Sequence, residues 1–168
     1  MYYIGVDLGT SAVKLLLMDE AGRILNVVSK EYPLYFPNPG WSEQKPEDWY
    51  DKKELVAGYD ASKVAGISFG GQMHGLVILD GNDKVIRPAI LWNDGRTIQE
   101  NDYLNNVVGK DKLSAYTANI SFTGFTAPKI LWVKNNEPEN FAKIRKIMLP
   151  KDYLAYRLTG VHCTDYSD

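Results

Sequence analysis

With 168 residues, 45% of them hydrophobic and 24% charged, the chain has ordinary globular composition and enough length for one sizeable core. Nineteen basic against twenty-one acidic side chains give a formal charge of −2 without long blocks; this excludes the footprint of a nucleic-acid or anionic-lipid binder and leaves small molecules or proteins as partners. The single cysteine, Cys163, rules out an internal disulfide, no apolar run nears the roughly 20 residues of a membrane span, and the N-terminus lacks secretory-signal features, so a reducing cytoplasm is expected.

The chain opens with three strand-like runs, YYIGVDLG, AVKLLLMD and ILNVVSKEY, separated by the short connections GTS and EAGR, which predicts an antiparallel meander over 2–32. PNPGW at 37–41 reads as loop, and the Pro-Glu-Asp start at 46–48 with Gly58 downstream predicts a short helix over 46–57. VAGISFGG supplies a fourth strand, and HGLVILD with VIRPAILWND predicts a hairpin about 81–83. Helices are expected over 97–108, 127–136 and 138–144, then a short apolar run, IRKIML, and a last helix through DYLAYRL that stops at Gly160. The class is α/β, with no internal repeat.

Three places can carry chemistry. The first turn, DLGTSAVK at 7–14, puts Asp7 at the end of an apolar strand and follows it with Gly9, Thr10, Ser11 and Lys14. Such a turn can aim N–H groups and hydroxyls at phosphate oxygens while the carboxylate holds hydrated Mg2+ and the lysine offsets charge, although the P-loop spacing is absent. The plainer reading is a tight turn, against which stands the partner that Asp7 would need if buried.

The second place is GGQMHG at 70–75, where two glycines end the fourth strand and one of two histidines follows. Glycine gives a ligand room, and His74 can hydrogen-bond a substrate hydroxyl; alternatively His74 satisfies a backbone group and Met73 fills the core, although the second glycine is then hard to explain by packing. The third place, WNDGRT at 92–97, reads as Asp94 capping the following helix with Arg96 solvated. His162 and Cys163 have no comparable context.

Together DLGTSAVK, WSEQKPEDWY at 41–50, GQMHG at 71–75, RPAILWNDGRT at 87–97 and GFTAPKILWVKNN at 124–136 resemble the FGGY carbohydrate kinases, the last stretch fitting a family signature that includes Lys129 and Trp132. PKDYLAYRLTG at 150–160 and TDYSD at 164–168 extend the resemblance over essentially the whole chain. Glycerol kinases of the family carry an Arg-Glu pair where Met73 and His74 stand, so the resemblance favours a ketopentose such as D-xylulose as substrate. It implies a ribonuclease H-like ATPase domain of the actin and Hsp70 type. It further implies ATP with Mg2+ as cofactors, Gly9, Thr10, Ser11 and Lys14 at the phosphates, Asp7 beside the metal and required for activity, and Met73 and His74 on the sugar.

Members of the family are about three times this long and have two domains. The expectation is therefore an incomplete N-terminal domain over 1–168, with the aspartate general base beyond residue 168, a stretch at 49–64 shorter than is usual, little activity by itself and a homodimer as a possible state of the parent. Another sugar specificity within the family, for ribulose or gluconate, and a non-catalytic binding module with the same fold are the alternatives.

Overall fold

The structure, a computed structural model, describes residues 1–49 and 57–165. Strands β1 (Tyr2–Leu8), β2 (Ala12–Asp19) and β3 (Ile24–Glu31) form the expected antiparallel meander. Its second turn is closed by Asp19, whose Oδ1 accepts from the backbone N–H groups of Ala21 and Arg23 at 2.9 Å, while Gly22 takes φ 79°. Such a left-handed position is one that glycine fills without steric cost.

Two two-residue strands follow in chain order around the fourth long one: β4 (Glu43–Gln44), then β5 (Val64–Gly71), β6 (Val77–Leu79) and β7 (Ala89–Ile90). β5 pairs in parallel with β1, giving the order β3-β2-β1-β5, while β4 pairs with β7. The run at 146–148 becomes β8 (Lys146–Met148), paired antiparallel with β6. The expected hairpin is present, with Asp80 N–H donating to Lys84 O and Leu76 N–H to Ile90 O across the turn.

Of the helix expected over 46–57, the first turn is a 3-10 segment, Pro46–Trp49; residues 50–56, which fall within the short stretch at 49–64, lie outside the described residues, as do 166–168. The helix expected over 97–108 runs further. It comprises α1 (Ile98–Tyr103), a wider π-type segment Leu104–Gly109, and α2 (Lys110–Thr117). α3 (Thr126–Asn136), α4 (Pro138–Lys143) and α5 (Pro150–Thr159) match expectation, α5 ending at Gly160 with φ 76°.

Alternation decides what each strand buries. Val6 and Leu8 of β1 and Val13, Leu15 and Leu17 of β2 face the core, with Trp49 and Tyr153 packed edge to face at 6.3 Å below them. β6 is buried on both faces: Val77 and Leu79 enter that core, while Leu76 and Ile78 join Ile90, Trp132 and Val133 in a second. Burying each such side chain contributes roughly 1.5–3 kcal/mol, and the two layers grip β6, which fixes the loop 72–75 that leads into it.

Candidate active site

Asp7 lies between Val6 and Leu8 but on the other side of the sheet, where it is exposed. This corrects the expectation of a buried carboxylate in need of a partner. In the register Asp7 stands opposite Lys14 on β2 and Gly70 on β5, and all three line a shallow cavity of about 450 Å3 on the open sheet face. Alternating side chains thus put a carboxylate and an ammonium together at the strand ends, and a Cβ on Gly70 would come no closer than 4.0 Å to Val6 O.

The turn after β1 is held by its carbonyls. Gly9 N–H donates to Ala12 O at 3.0 Å, Tyr32 donates its hydroxyl to Gly9 O and its N–H to Ser11 O, and Gln44 Nε2 donates to Thr10 O. Burial, and then the Asp7 charge, push the Tyr32 hydroxyl well above its ordinary range, so it remains a donor. Four carbonyls of the turn are thus occupied by protein donors, while Ser11 and Lys14 are exposed. Asp7 suits hydrated Mg2+, which draws most of its ligands from water and phosphate, and among the described residues no group of three His, Cys, Asp or Glu forms a self-sufficient metal set.

The loop after β5 carries the other predicted residues. Met73 is 53% exposed and so does not fill the core, whereas His74 is half-buried, with its ring stacked on Phe125 at 4.2 Å. His74 has φ 59°, a left-handed conformation costing a non-glycine residue about 1–2 kcal/mol. What holds it there is Lys129, fully buried, whose Nζ donates to His74 O at 2.7 Å and Gly124 O at 2.5 Å, assisted by the Thr126 hydroxyl at 3.2 Å. Burial pushes the Lys129 ammonium down to about 7, with the Asp94 charge opposing and Arg96 reinforcing the shift.

The glycines divide differently from the expectation. A Cβ on Gly71 would lie 2.9 Å from Leu8 Cβ, and one on Gly75 would lie 2.5 Å from Pro150 Cγ, so packing does explain the second glycine and the last. Gly70 alone of these faces open space beside Asp7.

The cluster at 92–97 is also corrected. Asp94 does not cap α1, which Thr97 precedes; its carboxylate accepts from Ser42 N–H at 2.6 Å and from Arg96 at 2.8–2.9 Å. The Arg96 side chain is fully buried rather than solvated, paired also with Glu43 at 2.8 Å and lying 3.8 Å over the Trp41 ring. Arg87 joins it, bridging Glu43 and Glu137. The network ties the loops around β4 and β7 to the helices. His162 pairs with Asp83 at 3.2 Å and stacks on Tyr156, while Cys163 is exposed.

Sequence reasoning passed over two linking residues. Gln44, 1% exposed, accepts from both Trp49 Nε1 and Gln72 Nε2 at 3.1 Å while donating to Thr10 O, so one buried amide joins the turn 9–12 to the loop 72–75. Trp92 donates its indole N–H to Thr10 Oγ1 at 2.9 Å. Both stand in motifs quoted for the family, but the partners through which they link the two loops, Thr10 and Gln72, lie 28 to 82 positions away.

Residues 2–168 match the FGGY family of carbohydrate kinases, N-terminal domain. The chain belongs to this family. This FGGY chain is 48% identical over 174 residues to xylulose kinase of Lactococcus lactis, covering 99% of itself and 34% of that protein. Among solved structures, xylulose kinase from Rhodospirillum rubrum matches it with a TM-score of 0.89 at 28% identity, over 98% of this chain and 36% of that one. Gluconate kinase from Lactobacillus acidophilus matches with 0.87 at 31%, over 96% and 34%. The FGGY chain thus spans about a third of the length of the relatives it matches. Its fold is the ribonuclease H-like, actin-type ATPase fold of its structural neighbours, and among the described residues no helix is long and apolar enough to cross a membrane.

Proposed function

We propose that this chain is the N-terminal part of an ATP-dependent xylulose kinase that works in the cytoplasm and transfers the γ-phosphoryl group to the C5 hydroxyl of D-xylulose. The observation that carries the reading is the junction at Gln44, which brings a turn suited to phosphate and a histidine loop suited to sugar into one site. The 48% identity with the Lactococcus lactis xylulose kinase supports a ketopentose as the substrate.

In this reading the His74 ring orients the sugar with Met73 beside it, and Lys129 and Thr126 keep the histidine backbone in its left-handed turn. The turn Gly9, Thr10 and Ser11 and the Lys14 ammonium face the phosphates of ATP, and Asp7 holds Mg2+ there. When bound, Mg2+ supplies charge neutralisation at the transferring phosphoryl group. The proton of the attacking hydroxyl is taken by an aspartate outside residues 1–168, in the remainder of the two-domain kinase.

The test is phosphorylation by the complete kinase of D-xylulose, D-ribulose, gluconate and glycerol with Mg-ATP. The highest kcat/KM on D-xylulose is expected. Preference for gluconate would move the assignment within the family, and no turnover with any of the four would favour a non-catalytic module.

A further inference from the structure

Within the cluster at 92–97, Asp94 and Arg96 turn inward to their buried partners, but Trp92 does not. Its ring is 47% exposed, and its one polar side-chain atom is spent on Thr10, with Nε1–H donating to Oγ1 at 2.9 Å. This bond lies at the surface and joins residues 82 positions apart. An indole N–H can only donate, so it fixes the role of the hydroxyl it meets. Thr10 Oγ1 is the acceptor, and its own proton points away from the ring. That proton has no acceptor among the described residues, and the turn carbonyls beside it, Gly9 O, Thr10 O and Ser11 O, already hold donors from Tyr32 and Gln44.

The backbone that carries the indole is held on both sides. Leu91, fully buried, donates its N–H to Ser42 O at 3.0 Å. The Trp92 carbonyl lies against Gly124, where a Cβ would come within 2.6 Å of Trp92 O, an approach that only glycine permits. Gly124 O in turn accepts from Lys129 Nζ, which also holds His74 O. A path of contacts thus runs from the His74 carbonyl through Lys129, Gly124 and Trp92 to the Thr10 hydroxyl, separate from the path through Gln44.

We propose that Trp92 is a positioning residue for phosphoryl transfer: by occupying a lone pair of Thr10 Oγ1, its indole turns the Thr10 proton onto an oxygen of the ATP phosphates. The proposal rests on the reading of the turn 9–12 as the phosphate site and deepens it, naming the hydroxyl that donates and the group that aims it. A hydroxyl free to rotate divides its proton among water and nearby carbonyls, whereas one that already accepts from an indole keeps one direction. It is also the stronger donor, because hydrogen bonds in a chain polarise one another.

The test measures KM for ATP, KM for D-xylulose and melting curves of the complete kinase and its Trp92→Phe, Thr10→Val and Thr10→Ser variants, singly and combined. Thr10→Val removes a hydrogen bond to a charged group and should raise KM for ATP roughly 10- to 100-fold. Trp92→Phe keeps an aromatic ring and removes the N–H; it should raise KM for ATP roughly 2- to 12-fold, with the sugar KM and the melting temperature held. In the Thr10→Val background Trp92→Phe should add nothing, and in Thr10→Ser, which keeps the hydroxyl, its effect should return. The same effect of Trp92→Phe with and without the Thr10 hydroxyl overturns the proposal, as does a rise in the sugar KM or a fall in melting temperature with KM for ATP unmoved. If Thr10→Val raises KM for ATP while Trp92→Phe does not, the role of the indole alone falls; if Thr10→Val leaves KM for ATP unchanged, the reading of the turn falls with it.

Discussion

Lys129→Met keeps the length of a fully buried side chain but removes its charge and its donors to His74 O and Gly124 O. The wild-type ammonium is pushed down to about 7 by burial, against an ordinary value of 10.5. The folded chain therefore gives up a proton that the unfolded chain retains between about pH 7 and 10.5. Because the unfolded state binds more protons in that window, stability rises with pH, by at most about 1.4 kcal/mol per pH unit and by roughly 2 kcal/mol from pH 7 to pH 9. Lys129→Met lacks this increment. The loss of two charge-assisted bonds, each about 1.5–3 kcal/mol, offsets some of what is gained by removing the buried charge, so the variant's absolute stability is less informative than its slope. The assay is denaturant unfolding of wild type and variant at pH 7, 8 and 9, followed by the fluorescence of tryptophans that include the neighbouring Trp132. A difference in stability between the two proteins that grows in favour of wild type as pH rises is expected; parallel pH dependence would refute the buried, near-neutral lysine.

The two strand-end glycines separate packing from ligand room. Gly71→Ala should lower stability by about 1–3 kcal/mol, because its Cβ would lie 2.9 Å from Leu8 Cβ, whereas Gly70→Ala should leave the melting temperature within a degree or two and raise KM for ATP instead. Melting curves and ATP titrations of the two variants check this. Asp7→Ala in the complete kinase should cut phosphoryl transfer by roughly 10²-fold or more while calorimetric sugar affinity holds, since the carboxylate serves Mg2+ and phosphate. Equal loss of both would make Asp7 a structural residue.

Much of this fold is local and was therefore legible. The meander, β5, α3 and the Gly160 stop each follow from periodicity or turn chemistry within a dozen residues. Alternation along β1 already placed Asp7 opposite Val6 and Leu8, and its exposure needed only that signal. The readings that failed depended on distant partners: Arg96 looked solvated because Glu43 and Trp41, which bury and pair it, lie more than 50 positions upstream. Gly71 looked spare until Leu8 was seen against it. Two-residue strands such as β4 and β7 are too short to carry a period, and the π-type turn that presents Asn105 to Ser121 has no sequence signature. Within the candidate site, family motifs named the proposed ligand residues, while the linking contacts of Gln44, Trp92 and Lys129 emerged only from the fold.

The central claim is that two loops joined through Gln44 serve two different ligands, sugar at His74 and phosphate at the turn 9–12. Its most direct measurement is the affinity of the complete His74→Ala kinase for D-xylulose and, separately, for a non-hydrolysable ATP analogue, each by calorimetry. The account predicts sugar affinity weakened by about 0.5–1.5 kcal/mol, the worth of one neutral hydrogen bond, with nucleotide affinity unchanged. Unchanged sugar affinity accompanied by a lowered melting temperature would contradict it.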